Sequence, residues 1–212
     1  ADTRDWPIDG YLITCPYYVR PSQDGLYRHF AHLAARTLRP IALYNIPYRT
    51  GVNLENDTLL RLAALDTIVG VKDCAADLAQ SFDLLQRRPP GFAVMTGEDA
   101  QFFTALAHGA DGGILAAAHV ETEGFAAVRA ALLAGDRVGA LQRWRHLAEI
   151  VALLFAEPNP APIKHWLWCE GLIRSPELRL PLTEATPALA RRIAAAVAAR
   201  RPHRLPAERQ SA

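Results

Sequence analysis

Thr67-Ile68-Val69-Gly70-Val71-Lys72-Asp73 is an apolar run of strand length that ends on an ammonium and a carboxylate side by side. Four similar runs flank it: Tyr11-Leu12-Ile13-Thr14, Ile41-Ala42-Leu43-Tyr44, Phe92-Ala93-Val94-Met95 and Gly113-Ile114-Leu115-Ala116. Each is continuous in its apolar character, the pattern expected of strands covered on both faces. A stretch of helical periodicity follows each run, at 26–37, 56–65, 78–87, 99–108 and 124–133, with apolar spacing such as Leu78, Phe82 and Leu85. This alternation is that of βα units building a parallel sheet. After the fifth unit the pattern turns helical, at 137–156, 163–171 and 187–200, broken at Glu157-Pro158-Asn159-Pro160. Thr186 followed by Pro187 reads as an N-cap and first helical position. The reading divides the chain into βα units over 1–135, a helical extension over 136–200 and a frayed Arg- and Pro-rich tail over 201–212. A closed eight-stranded barrel uses about 250 residues, so five units suit either an open doubly wound sheet or the back half of a barrel.

The 212 residues carry a net charge of +1, and half are apolar, which fits one globular domain and leaves no electrostatic footprint for nucleic acid. No apolar run reaches the roughly 18 residues of a membrane span, and Ala1-Asp2-Thr3-Arg4-Asp5 lacks signal-peptide order, so a soluble, cytoplasmic protein is expected. The chain lacks an initiator methionine, its single Met being Met95, which points to a processed start or a piece of something longer. Cys15, Cys74 and Cys169 have no C-x-x-C spacing and are expected to be inert or partly buried thiols, in neither a disulfide nor a zinc site. His29 and His32 lie three apart on one helix, a spacing that suits an exposed face better than a metal pair. Nucleotide-binding, serine-hydrolase and zinc-protease motifs are absent, so no cofactor or metal is implied. Of 23 basic residues only Lys72 and Lys164 are lysines.

Lys72 stands at the carboxyl end of a strand, where α/β folds build active sites, and a partly desolvated lysine there can form a Schiff base with a ketone. The competing account is an ion pair with Asp73 or a neighbouring carboxylate. In Tyr44-Asn45-Ile46-Pro47-Tyr48-Arg49-Thr50-Gly51, Tyr44 ends a strand and can move a proton, and Arg49 can grip a carboxylate, although Pro47 and Gly51 equally shape a plain turn. Cys15-Pro16-Tyr17-Tyr18 places two phenols at another strand end, where packing is the commoner role. In Thr96-Gly97-Glu98-Asp99 the glycine permits close backbone approach, and the acids suit a helix start.

In order and spacing, Cys15-Pro16-Tyr17-Tyr18, Tyr44-Asn45-Ile46-Pro47-x-Arg49-Thr50-Gly51, Gly70-Val71-Lys72-Asp73, Thr96-Gly97-Glu98-Asp99 and Glu157-Pro158-Asn159-Pro160 resemble the dihydrodipicolinate synthase and N-acetylneuraminate lyase family. The resemblance runs from about Asp9 to about Ala199 and implies an α/β fold of the (β/α)8 TIM-barrel family. The chain would then be an incomplete barrel, N-terminally truncated, holding strands four to eight and C-terminal helices. It implies Lys72 as the Schiff-base lysine for pyruvate or a related 2-oxo acid, Tyr44 as proton shuttle, and Tyr18 as the tyrosine lent to a neighbouring subunit. Arg49 would hold the second substrate's carboxylate, and Gly97 and Ile114 would lie against the bound 2-oxo acid. The implied partners are small molecules and further copies of the chain, as a dimer of dimers, with no cofactor beyond the lysine.

Three departures accompany the resemblance. The first three strands and their threonine pair are absent, Cys74-Ala75-Ala76-Asp77 stands where small residues ending in Gly-Asp are usual, and bulky Tyr48 replaces a small residue. The leading expectation is a lyase or synthase making 4-hydroxy-tetrahydrodipicolinate or acting as a sugar-acid aldolase or dehydratase. The alternative is an inactive family member with a structural or interaction role.

Overall fold

The computed structural model describes residue 3 and residues 6–200. The expected tail, 201–212, lies outside the described residues. Five strands, β1 (Tyr11–Thr14), β2 (Ile41–Asn45), β3 (Ile68–Asp73), β4 (Ala93–Thr96) and β5 (Gly112–Gly113), pair in parallel in the order β1-β2-β3-β4-β5. That order decides between the two architectures left open. A doubly wound sheet reverses its strand order at a switch point, whereas right-handed crossovers that always step the same way put every helix on one face, as in a (β/α) barrel. The fold is an incomplete α/β barrel.

The burial pattern corrects the expectation of strands covered on both faces. In β2 the residues Ile41, Leu43 and Asn45 are buried while Ala42 and Tyr44 are half-buried, and β4 alternates in the same way. One face, carrying Leu43, Val71 and Val94, packs under α1 (Gln23–Ala34), α3 (Asn56–Leu62) and α4 (Leu78–Arg87) through Leu26, Phe30, Leu59, Leu62 and Leu84. The other face bears Ala42, Tyr44, Gly70, Lys72 and Met95, and its residues are small or apolar enough to mask the alternation in the sequence. Between Ile41 and Ala42 the pairing slips by one residue, leaving Val69 exposed while the rest of β3 keeps register. Gly70 is required where β3 passes β4, since a Cβ there would lie 2.6 Å from the Ala93 carbonyl oxygen.

Helix starts follow their caps. Ser22 accepts from the Gly25 N–H at the head of α1, and Asp77 accepts from Ala79 and Gln80 at the head of α4. The expected helix at 99–108 opens as a 3-10 turn (Asp99–Gln101) before α5 (Phe102–Ala107). A short helix the periodicity did not announce, α2 (Pro47–Thr50), closes on Gly51 in the left-handed region. Asn45, fully buried, ties down the segment behind α2: its amide donates to Asn53 at 2.8 Å and accepts from the Leu54 N–H at 3.0 Å. Asn53 in turn bonds Gln80 of α4 at 2.7 Å.

Backbone contacts divide the chain into two compact units, the first ending at Leu115 and the second beginning at Ala116. The second holds α6 (Ala118–Leu133), α7 (Arg137–Leu154), α8 (Ala161–Cys169) and α9 (Pro187–Arg200). Thr186 caps α9 as expected, accepting from the Leu189 N–H. Glu157 fixes the cap by accepting from the Thr186 N–H at 3.0 Å and its hydroxyl at 2.5 Å, which holds the Glu157 carboxyl below its ordinary range. Among the described residues no helix is long and apolar enough to cross a membrane.

Two outcomes follow from this packing. Asn45→Ala strands the buried Leu54 N–H, while the Leu54 carbonyl keeps its bond from the Gln80 amide, and is expected to lower the unfolding free energy by about 1–3 kcal/mol in urea titration. Ala76 sits at φ 59°, a left-handed conformation that costs an L-residue about 1–2 kcal/mol. Ala76→Gly removes that strain at some cost in chain entropy, and a net gain of about 1 kcal/mol or less is expected in the same titration.

Candidate active site

Parallel pairing sets Tyr44 beside Lys72 and Lys72 beside Met95 on one face at the carboxyl end of β3. The Lys72 Nζ stands 4.3 Å from the centroid of the Tyr44 ring, a cation–π distance. Asp73, one residue on, points to the opposite face because side chains alternate along a strand. There the Ser81 hydroxyl donates to it at 2.5 Å and the Ala75 N–H at 3.1 Å. Burial pushes the Asp73 carboxyl above its ordinary value, and those two hydrogen bonds oppose the shift. The ion pair between Lys72 and Asp73 is therefore not formed, and no ion pair among the described residues involves Lys72.

The glycine after β4 has a specific reason. The Gly97 N–H donates to the Asp73 carbonyl at 2.7 Å, and the Ile114 N–H donates to that of Thr96 at 2.9 Å, carrying the parallel pairing to the strand ends. A Cβ on Gly97 would stand 2.2 Å from the Cys74 Sγ and 2.5 Å from the Lys72 Cε. Only glycine lets the lysine stem and the thiol lie against this backbone. Ile114 is 40% exposed at the neighbouring strand end.

Cys74, read from the sequence as an inert or partly buried thiol, is buried within this cluster. The Tyr44 hydroxyl and the Glu98 carboxylate lie close enough to act on its thiol electrostatically. Burial first, then the Glu98 charge, pushes it up to about 12, so it stays a neutral thiol. Burial, followed by the proximity of Cys74, likewise raises the Tyr44 hydroxyl well above an ordinary phenol. At neutral pH Tyr44 is thus a proton donor and acceptor through exchange, not a standing phenolate. The sequence signal for Cys74 was its place two residues after the lysine, on the same side of the pleat.

Above these residues α2 presents Tyr48 and Arg49. The Tyr48 hydroxyl donates to the Glu98 carboxylate at 3.1 Å, and the Arg49 guanidinium lies 6.0 Å from the Tyr48 ring centroid. Tyr18 is 89% exposed with φ 71°, its backbone N–H tied to the Thr50 carbonyl at 3.2 Å. The structure thus brings Lys72, Tyr44 and Gly97 together, adds Cys74 and Glu98, and sets Arg49 beside Tyr48 in the next loop. No group of three or more metal-capable side chains occurs among the described residues.

Comparison with known proteins identifies the family. The model of the dihydrodipicolinate synthetase family matches residues 1–200. A 4-hydroxy-tetrahydrodipicolinate synthase 2 of Clostridium acetobutylicum is 51% identical over 175 residues, covering 82% of this chain and 61% of its own. The Moorella thermoacetica 4-hydroxy-tetrahydrodipicolinate synthase is 43% identical over 190 residues, covering 90% and 65%. Among solved structures, dihydrodipicolinate synthase of Thermotoga maritima superposes with a TM-score of 0.85 at 33% identity, covering 91% of this chain and 67% of that one. The Methylacidiphilum fumariolicum 4-hydroxy-tetrahydrodipicolinate synthase gives 0.86 at 36% identity, covering 93% and 65%. The chain therefore spans about two thirds of the length of such relatives. With the family's pattern running through residues 1–200 on the same parallel βα frame, the chain belongs to the dihydrodipicolinate synthetase family.

Proposed function

We propose that this chain carries the Schiff-base half of a 4-hydroxy-tetrahydrodipicolinate synthase-type lyase, acting on pyruvate or a closely related 2-oxo acid. The observation that carries the reading is the Lys72 amine, paired with no carboxylate among the described residues, held over Tyr44 and backed by the bare Gly97 backbone. A lysine bound in an ion pair would have to break it before reacting, and this one does not.

The Lys72 amine, once deprotonated, adds to the C2 carbonyl of the 2-oxo acid; the oxygen takes up one proton given up by the attacking nitrogen and a second from the general acid, and leaves as water as the iminium forms. Tyr44, within reach of the amine, supplies and recovers the protons of that exchange. The resulting iminium draws electrons from C3, which loses a proton and becomes a carbon nucleophile toward an aldehyde. Hydrolysis of the product imine returns the lysine. Arg49 takes the role of carboxylate anchor for the second substrate, and Gly97 and Ile114 line the 2-oxo acid. Tyr18, exposed on this chain, is suited to serve a neighbouring copy, as expected of a dimer of dimers. The proposed chemistry needs no cofactor beyond the lysine, and a cytoplasmic setting fits it.

Borohydride reduction in the presence of pyruvate tests the reading, with the adduct located by intact mass and peptide mapping. One adduct on Lys72 is expected, and none on Lys164, whose Nζ is engaged by the Glu177 carbonyl. Lys72→Ala is expected to give none, and Tyr44→Phe to slow trapping by about 100- to 10,000-fold. Gly97→Ala, which forces the lysine stem off its path, is expected to slow it by about 100-fold. Folded protein that yields no Lys72 adduct overturns the proposed chemistry.

A further inference from the structure

The hydrogen bond from Tyr48 to Glu98 joins residues 50 positions apart in the chain. Tyr48 lies in α2, directly after β2, and Glu98 directly after β4. In the sheet β3 runs between β2 and β4, so this tie crosses the carboxyl end of β3, the end on which Lys72 is carried. Adjacent strands lie about 4.8 Å apart, so the gap between β2 and β4 is about twice that, a distance a tyrosine and a glutamate together can span. Both residues also act electrostatically on Cys74, which places the thiol near the tie.

The tie lies at the exposed rim, with Tyr48 60% exposed. The Glu98 backbone N–H is itself held by the Thr96 hydroxyl at 3.2 Å. Burial, followed by the Glu98 charge, pushes the Tyr48 phenol up to about 12, so it remains a donor throughout the neutral range. The Arg49 guanidinium lies 6.0 Å from the ring centroid. A large planar group thus occupies the rim between the arginine and the glutamate.

We infer that Tyr48, held by Glu98, is a specificity-determining residue that confines the site to 2-oxo acids with little bulk beyond the carbon that becomes the nucleophile. This inference rests on the Schiff-base reading of Lys72. That carbon must face the incoming aldehyde, and the aldehyde enters past the rim. A chain extended from the same carbon is therefore directed at the Tyr48 ring, and the shortest acid is favoured.

The test uses the same half-reaction on the full chain, with pyruvate, 2-oxobutanoate and 2-oxohexanoate as probes and the rate of borohydride-trapped adduct on Lys72 as the readout. In the unsubstituted protein the rate is expected to fall along the series. In Tyr48→Ala the ratio of pyruvate to 2-oxohexanoate rates is expected to shrink by about 10-fold or more, the scale on which pockets discriminate alkyl length. Tyr48→Phe keeps the ring and loses the tie, and Glu98→Gln keeps the side-chain length and loses the charge, so intermediate ratios are expected for both. An unchanged ratio in Tyr48→Ala overturns the inference and leaves the Schiff-base reading standing. Absence of any Lys72 adduct with pyruvate in the unsubstituted protein overturns the Schiff-base reading, and this inference with it.

Discussion

Along β3 the pleat sends Lys72 and Asp73 to opposite faces, and the rest of the site depends on that separation. An ammonium and a carboxylate adjacent in sequence would ordinarily be read as partners. Here the carboxylate is spent on Ser81 and the Ala75 N–H under the helices, while the lysine turns to the Tyr44 ring. A slip of one residue in the register of β3 would exchange them, burying the lysine and presenting the acid. The slip at Ile41 and Ala42 therefore matters: it expels Val69 and restores the phase in time for Gly70, Val71 and Lys72.

Around that lysine the neighbouring segments are held by backbone-directed contacts more than by bulk. Gly97 offers bare backbone to the lysine stem, and its N–H is bound by the Asp73 carbonyl. Asn45 fastens the segment after β2 through Leu54 and Asn53, which keeps Tyr44 at a fixed strand end and sets α2 over the site. The Asp73 turn leads into Ala76 at positive φ and then the Asp77 cap, so the loop that the sequence marked as unusual closes with alanine where glycine is the easier residue. Cys74 enters through that loop, and it couples Tyr44 to Glu98.

Much of this was legible in the amino-acid order, and what was not has physical reasons. The strand ends, α4 and α9, and the Thr186 cap follow from apolar spacing and capping chemistry, both of which are local. Strand order is not local, so the βα spacing alone left two sheet architectures open; the family resemblance implied the incomplete barrel, and the pairing of β1 through β5 agrees with it. One-sided burial was hidden because the second face uses alanine, glycine and methionine, which read as core residues. The last strand is only Gly112–Gly113, shorter than its apolar run, since Ile114 alone continues the pairing through its N–H. The tie from Tyr48 to Glu98 and the approach of Cys74 join residues far apart in sequence or depend on side-chain direction, and no spacing rule announces either.

The most direct test of the account is a crystal structure of the protein grown with pyruvate. Continuous density from the Lys72 Nζ to C2 of the bound acid, with Asp73 still held by Ser81, is the expected result. A Lys72 turned into an ion pair with Asp73 or Glu98, with no acid attached, would contradict it.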